Sequence, residues 1–304
     1  MKGKTLIIVA GPTAVGKTDL CVQLAQAFDT VVFSADSRQF YREMSIGTAK
    51  PNAEEMQGVP HFFVNDRSVE EPYSAGDYEV DALRKLSEQF QHHDEIILTG
   101  GSGLYLQAVC EGIDDMPPIP EEIRQKWHRE LDEKGIEHLQ QMLLQIDPEY
   151  HRQVDLQNPQ RLLRALEVHE VSGKTLSSYW KERKKRNFRI IKIALERDRE
   201  ELYERINRRM DLMIEKGLFK EAEALYPLKH LNALQTVGYK EIFDYMNGKH
   251  DYEEAVRLLK RNSRRYAKKQ MTWFKRDPEF HWFHPRQLND IVACIQAEIE
   301  KGLK

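Results

Sequence analysis

The chain has 304 residues, 40% of them hydrophobic and 31% charged, with a formal net charge of −3. That length suits roughly two domains at ~150 residues each, and no apolar stretch approaches the ~20 residues that a membrane-spanning helix needs. Cys21, Cys110 and Cys294 stand too far apart for a disulfide framework or a CxxC zinc site, so with no signal-like N-terminus the expectation is a reduced, cytoplasmic protein.

The first predicted strand, Thr5–Ala10, is apolar and β-branched. It runs into GPTAVGKT, Gly11 to Thr18, which fits G-x-x-x-x-G-K-[ST]. Leu20, Leu24 and Phe28 then recur at helical spacing. Strand, glycine loop and helix in that order aim backbone N–H groups at one point, on the positive end of a helix dipole. Lys17 adds a full charge there, and the Thr18 hydroxyl is placed to ligate a magnesium ion. Gly11, Pro12, Thr13, Ala14, Val15, Gly16, Lys17 and Thr18 thus form a predicted polyphosphate cradle.

A second predicted strand, Thr30–Ala35, delivers Asp36, Ser37, Arg38 and Gln39 at its carboxyl end, where an open parallel sheet holds its ligands. Asp36 is therefore a carboxylate aimed towards the phosphate loop and suited to direct chemistry; a helix cap or an indirect magnesium contact is its plainer role. Ile46 to Pro51 is a loop bounded by Gly and Pro. His61–Val64 is a short strand, and Tyr73–Asp77 leads into a helix through Tyr78, Leu83 and Leu86. Glu95–Leu98 is a strand ending in Thr99-Gly-Gly-Ser-Gly, a second glycine-rich turn that would let backbone approach a ligand closely. An ATPase usually ends such a strand on an acidic residue that holds magnesium. Here the phosphate cradle stands without the usual apparatus for a γ-phosphate.

Met116–Pro120 is a stiff linker. From there to about Arg186 the pattern is short helices: Ile123, Trp127 and Leu131 form one stripe, and Ile136, Leu139, Leu143 and Ile146 another. Asn158-Pro159 is a cap with proline at the first helical position. Arg189–Leu195 returns to strand, and a long helix follows through Leu202, Ile206, Met210 and Met213 to near Gly217, carrying Arg205 and Arg209 on one face. Gln235–Lys240 is a turn into another helix. From Asp251 to Lys275 a long helix sets Tyr252, Val256, Leu259, Tyr266 and Trp273 on one stripe, with Ser263 and Gln270 interrupting it. Phe280–His284 is a last strand and Ile291–Leu303 a closing helix; His281 and His284 lack a third metal ligand. The predicted fold is α/β: a P-loop NTPase-like parallel sheet flanked by helices, residues 1–116 and 187–304, with an inserted all-helical subdomain over 117–186.

Charge is unevenly spread. Arg257 to Arg276 holds nine Lys or Arg and no acid, and Lys181 to Arg189 holds six basic residues against one Glu. Two such blocks beside a phosphate loop point to a nucleic acid partner.

The ordered set GPTAVGKT, DSRQFYREMSIGTAKP, YSAGD, GGSGLY, NPQRLLRALEV, RINRRM, QTVGYKE and YAKKQMTWFKR resembles the tRNA dimethylallyltransferases, also called tRNA isopentenyltransferases, from about residue 5 to 276. The resemblance implies transfer of a dimethylallyl group from dimethylallyl pyrophosphate to the exocyclic amine of the adenine 3′ of the anticodon, in tRNAs reading codons that begin with U. It implies Asp36 as general base, with Lys17, Thr18 and Arg209 at the leaving pyrophosphate and Mg2+ on Thr18. It also assigns tRNA contacts to Asp36, Ser37, Arg38, Gln39, Ser102, Arg124, Gln160, Arg161, Leu162, Leu163, Arg164, Gln235, Thr236, Val237, Gly238, Tyr239, Lys240, Lys268, Lys269, Gln270, Trp273 and Lys275. Gln39 has an amide suited to an adenine edge, and the helical insertion would close over the anticodon stem–loop. With no Cys or His for the zinc finger of eukaryotic members, the resemblance is to the compact bacterial form, expected as a monomer. Val15 stands where a hydroxyl residue is commoner. The alternatives are a P-loop nucleoside or nucleotide kinase, which would bind ATP, and an RNA-binding protein with a vestigial loop.

Overall fold

The structure is a computed structural model that describes residues 3–114, 116–180 and 184–302. Lys181, Glu182 and Arg183 of the second basic block, and Leu303 of the closing helix, lie outside the described residues. The chain divides into two compact units, residues 1–111 with 185–304, and residues 112–184.

In the first unit, six parallel strands form one sheet in the order β3-β2-β4-β1-β5-β6: β1 Thr5–Ala10, β2 Val32–Ser34, β3 His61–Phe62, β4 Glu95–Gly100, β5 Arg189–Leu195 and β6 His281–Phe283. Every residue of β1 is buried, as expected of a central parallel strand covered on both faces. Its alternate side chains serve two cores. Leu6, Ile8 and Ala10 join Phe33, Leu98, Tyr78, Leu86 and Val109 on one face; Ile7 and Val9 join Ile97, Ile193, Leu20, Leu24, Ile206 and Ile291 on the other. The helices of this layered arrangement are, in chain order, α1 Lys17–Ala27, the short α2 Ala53–Met56, α3 Ala75–Gln89 and α4 Gly103–Glu111.

The second unit holds α5 Glu121–Ile146, the short α6 Pro148–His151 and α7 Pro159–Ser172. The two predicted stripes of α5 fall on either side of Gly135, whose φ of 79° breaks the helix direction. Asn158 caps α7 by accepting the N–H of Arg161. Trp127, Leu139, Leu143, Leu162, Leu163 and Leu166 close a core of their own. Met116 and Ile119, read from sequence as linker, pack against it, because apolar side chains gain more from burial than from exposure.

Back in the first unit come α8 Arg199–Glu215, α9 Leu218–Leu225, α10 Lys240–Met246, α11 Tyr252–Phe274 and α12 Leu288–Lys301. The predicted stripe of α11 is displaced. The buried positions are Ala255, Leu259, Ser263, Ala267, Gln270 and Phe274, while Tyr252 and Tyr266 are exposed. Small residues let the helix approach its neighbours closely, and the aromatic rings turn outward. No described helix is long and apolar enough to cross a membrane.

Candidate active site

The carboxyl ends of β1, β2 and β4 lie side by side, with Ala10 in register with Gly100 and Ser34 with Thr99. The loops leaving them wall a cavity of about 440 Å³, with α8 opposite. Thr13, Lys17, Thr18, Asp36, Gln39 and Arg209 all line it. These positions are 196 residues apart in sequence between Thr13 and Arg209, and only the parallel sheet brings them together.

The phosphate loop is held from outside as well as within. Gly16 takes φ 110° and Ala14 φ 65°, turning the loop back towards α1. Lys17 Nζ donates to the carbonyls of Gly11 at 3.0 Å and Pro12 at 2.9 Å. From the α8 side, Arg197 Nε donates to Val15 O at 2.7 Å, Arg205 Nε to Ala14 O at 2.9 Å, and Arg209 Nη2 to the Thr13 hydroxyl. From α11, Gln270 Oε1 accepts the Thr13 N–H at 2.8 Å. Val15 points into the apolar core and is fully buried, so at this position a hydroxyl has no cavity to face. His284 is engaged by Arg197 at 3.3 Å and lies 3.7 Å from Glu201, which explains its place without a metal.

Burial pulls the Lys17 ammonium down to about 8, against the pull of Asp36 in the other direction. Burial likewise lowers Arg209 to about 10, again opposed by Asp36. Lys17 and Arg209 therefore face Asp36 in a poorly solvated part of the cavity. Asp36 Oδ1 accepts the N–H of Arg38 at 3.0 Å, which orients the carboxyl group, and Ser34 Oγ accepts the backbone N–H of Asp36 at 3.3 Å. Among the described residues no group of three or more His, Cys, Asp or Glu forms a metal cage. The Thr18 hydroxyl, which lines the cavity, fits instead the magnesium mode in which a protein oxygen is joined by phosphate and water.

Gln39 is already engaged: Nε2 donates to Thr48 O at 3.3 Å and Ala49 O at 3.4 Å, and Oε1 accepts from Ser34 Oγ at 3.1 Å. Ser102 Oγ accepts the Ser37 N–H at 3.1 Å, tying the second glycine turn to the Asp36 loop. That turn has a second use besides the one read in the sequence. A Cβ at Gly101 would stand 2.2 Å from Gln270 Nε2, and one at Gly103 2.2 Å from the Trp273 ring. Gly101 and Gly103 thus admit α11, while Thr99 and Gly100 of the same turn line the cavity.

The other expected RNA-contacting residues divide by burial. Gln235, Lys240, Lys268, Lys269 and Lys275 are exposed, and Thr236, Val237 and Trp273 half-buried. Gly238, Tyr239 and Gln270 are buried. The side chains of Tyr239 and Gln270 are thus withdrawn from any surface an RNA could touch, because both are packed and hydrogen-bonded inside. In the second unit Arg124, Gln160 and Arg161 are exposed and Arg164 half-buried; Leu162 and Leu163 are core residues, on the face of α7 away from solvent. Sequence reasoning missed Arg197, Gln270 as a brace, and Glu221, described below.

Residues 39–277 match the family model described as IPP transferase. A tRNA dimethylallyltransferase 1 of Phocaeicola vulgatus is 50% identical over 294 residues, covering 96% of this chain and 98% of the relative. The crystal structure of the full-length tRNA isopentenylpyrophosphate transferase of Bacillus halodurans superposes with a TM-score of 0.74 at 36% identity, covering 98% of each chain. A eukaryotic dimethylallyltransferase crystallised acting on tRNA gives 0.73 at 28% identity, over 89% of this chain and 69% of that one. These matches lend nothing to the kinase alternative, and the sheet is of the P-loop NTPase-like kind. With the phosphate loop, the carboxylate and the arginine row in place, the chain belongs to the tRNA dimethylallyltransferase family.

Proposed function

We propose that the protein transfers a dimethylallyl group from dimethylallyl pyrophosphate to the exocyclic amine of the adenine 3′ of the anticodon, in tRNAs reading codons that begin with U. The observation that carries the reading is the meeting of Asp36, Lys17, Thr18 and Arg209 on one cavity at the carboxyl end of the sheet. An alkyl transfer of this kind forms a bond from the amine nitrogen to the allylic carbon and breaks the bond from that carbon to the pyrophosphate oxygen. The amine must lose a proton and the leaving group gathers negative charge. Asp36 faces both cations, and it takes the proton. Lys17, Arg209 and the N–H groups of the loop receive the pyrophosphate, the arrangement that favours charge developed at departure. A magnesium ion held by Thr18 would neutralise further leaving-group charge. The target base must leave its stack to reach the cavity.

The exposed lysines of α11 and the exposed Arg124, Gln160 and Arg161 of the second unit are proposed as RNA contacts. The test is transfer of labelled dimethylallyl to an anticodon stem–loop by wild type and by Asp36→Ala. Loss of ~100-fold or more with RNA binding retained supports Asp36 as the base. Phosphoryl transfer from ATP without prenyl transfer by the folded wild type would overturn the reading.

A further inference from the structure

One carboxylate outside the cavity holds an unusual number of donors. Glu221, on α9, accepts three consecutive backbone N–H groups: Ser45 at 2.9 Å and Ile46 at 2.8 Å on Oε2, and Gly47 at 2.8 Å on Oε1. The phenol of Tyr239 donates to the same Oε1 at 2.6 Å. Successive amides turned to one point form an anion-binding nest, and here the anion is the protein's own. The loop is also clamped from the other side. A Cβ on Gly47 would come within 2.6 Å of the Tyr239 ring, so loop and ring fit only with glycine at 47. Tyr239 is fully buried, and burial with Glu221 beside it raises its phenol strongly.

The two residues after the nest are the ones that matter to the cavity. Thr48 and Ala49 line it, and their carbonyls hold the Gln39 amide, which lines it too. Gln39 in turn donates its N–H to Asp36 O at 3.2 Å. A continuous chain of bonds therefore runs from α9 through the loop to Gln39 and the Asp36 turn.

We infer that Glu221, with Tyr239, is a positioning residue that fixes the 45–49 loop and so sets the Gln39 wall of the cavity, linking that wall to the 235–240 segment. Neither residue lines the cavity. The inference rests on the prenyl-transfer reading for its catalytic consequence, but its structural half stands apart from it.

Glu221→Gln keeps the shape of the side chain and exchanges one acceptor oxygen for an amine that faces N–H groups. It is expected to speed hydrogen exchange at the amides of 45–47, to lower kcat for transfer to an anticodon stem–loop by ~10- to 100-fold, and to leave the Kd for inorganic pyrophosphate within about twofold. Tyr239→Phe, losing one donor of four, should fall between. Acting through Gln39, Glu221→Gln should cost less than ~3-fold in a Gln39→Ala background. Unchanged exchange at 45–47 would overturn the inference, as would pyrophosphate affinity and turnover falling together, or effects that multiply in the double variant. Failure of wild type to transfer dimethylallyl would overturn the functional reading alone, since exchange and pyrophosphate binding still decide the position of the loop.

Discussion

The side-chain oxygen of Gln270 accepts the backbone N–H of Thr13 at 2.8 Å, across 257 residues of sequence. Its amine donates to Gly101 O at 2.9 Å, so one buried amide braces two of the three loops around the cavity. Replacing it by leucine strands both backbone groups in a buried place, and each stranded group costs about 1–3 kcal/mol. Gln270→Leu is expected to lower thermal stability and weaken inorganic pyrophosphate binding by ~10-fold or more, read by calorimetry. Affinity equal to wild type would show the brace to be irrelevant to the cradle.

Lys17 gives a pH signature. Burial sets its ammonium at about 8 in the free protein, and a pyrophosphate beside it raises that value, so binding above pH 8 takes up a proton. Affinity for pyrophosphate should fall as pH rises through 8, approaching tenfold per unit. Folding stability runs the other way at this residue. The unfolded lysine keeps its proton up to 10.5 and the folded one releases it from about 8, so its contribution to stability rises between those values and is lost as pH falls back through 8. Both trends should vanish in Lys17→Met and so appear in full in its difference from wild type, measured by titration calorimetry and chemical denaturation.

Arg205 and Arg209 are four residues apart, yet their surroundings differ. Arg209 bonds the Thr13 hydroxyl and is opposed to Asp36 across the cavity; Arg205 is exposed and braces Ala14 O. Arg209→Ala should lower kcat by ~10²–10³-fold, the loss typical of a donor aimed at developing charge. Arg205→Ala should change kcat/KM only a few-fold, since a single exposed hydrogen bond contributes about 1 kcal/mol. Equal losses in steady-state assays would refute this division.

On α7 the same contrast separates core from surface. Leu163→Ala should destabilise the second unit by about 2–5 kcal/mol, as buried leucines do. Arg161→Ala should leave the denaturation midpoint unchanged, weaken stem–loop binding, and reduce the salt slope of binding by ~1. A salt slope unaltered in Arg161→Ala would remove it from the RNA surface.

Local signals carried much of this molecule. A six-residue apolar run gave β1, the shorter Glu95–Leu98 gave β4 up to its last two residues, Gly11 to Thr18 gave the cradle, and Asn158-Pro159 and Asp251 gave helix starts, because each is a matter of neighbours in sequence. Asp36 was legible from its place after a strand. The braces were not. Gln270 looks like a break in an apolar stripe until its partners at Thr13 and Gly101 are known, and Tyr252 and Tyr266 look like core until their exposure is seen. Helix α9 went unread, and Glu221 with it, since its carboxylate answers to amides 174 to 176 residues away.

The many ties on the phosphate loop bear on timing. Lys17, Arg197, Arg205, Arg209 and Gln270 between them fix carbonyls, an amide and a hydroxyl from Gly11 to Val15 by bonds within the protein itself. A loop that must wrap its ligand loses chain entropy at the moment of binding and closes slowly; this one has lost that entropy already, during folding. On the proposed reading, donor capture becomes a diffusional encounter with a preformed socket, and the slow rearrangements of the cycle fall to the RNA, which would have to turn out a base.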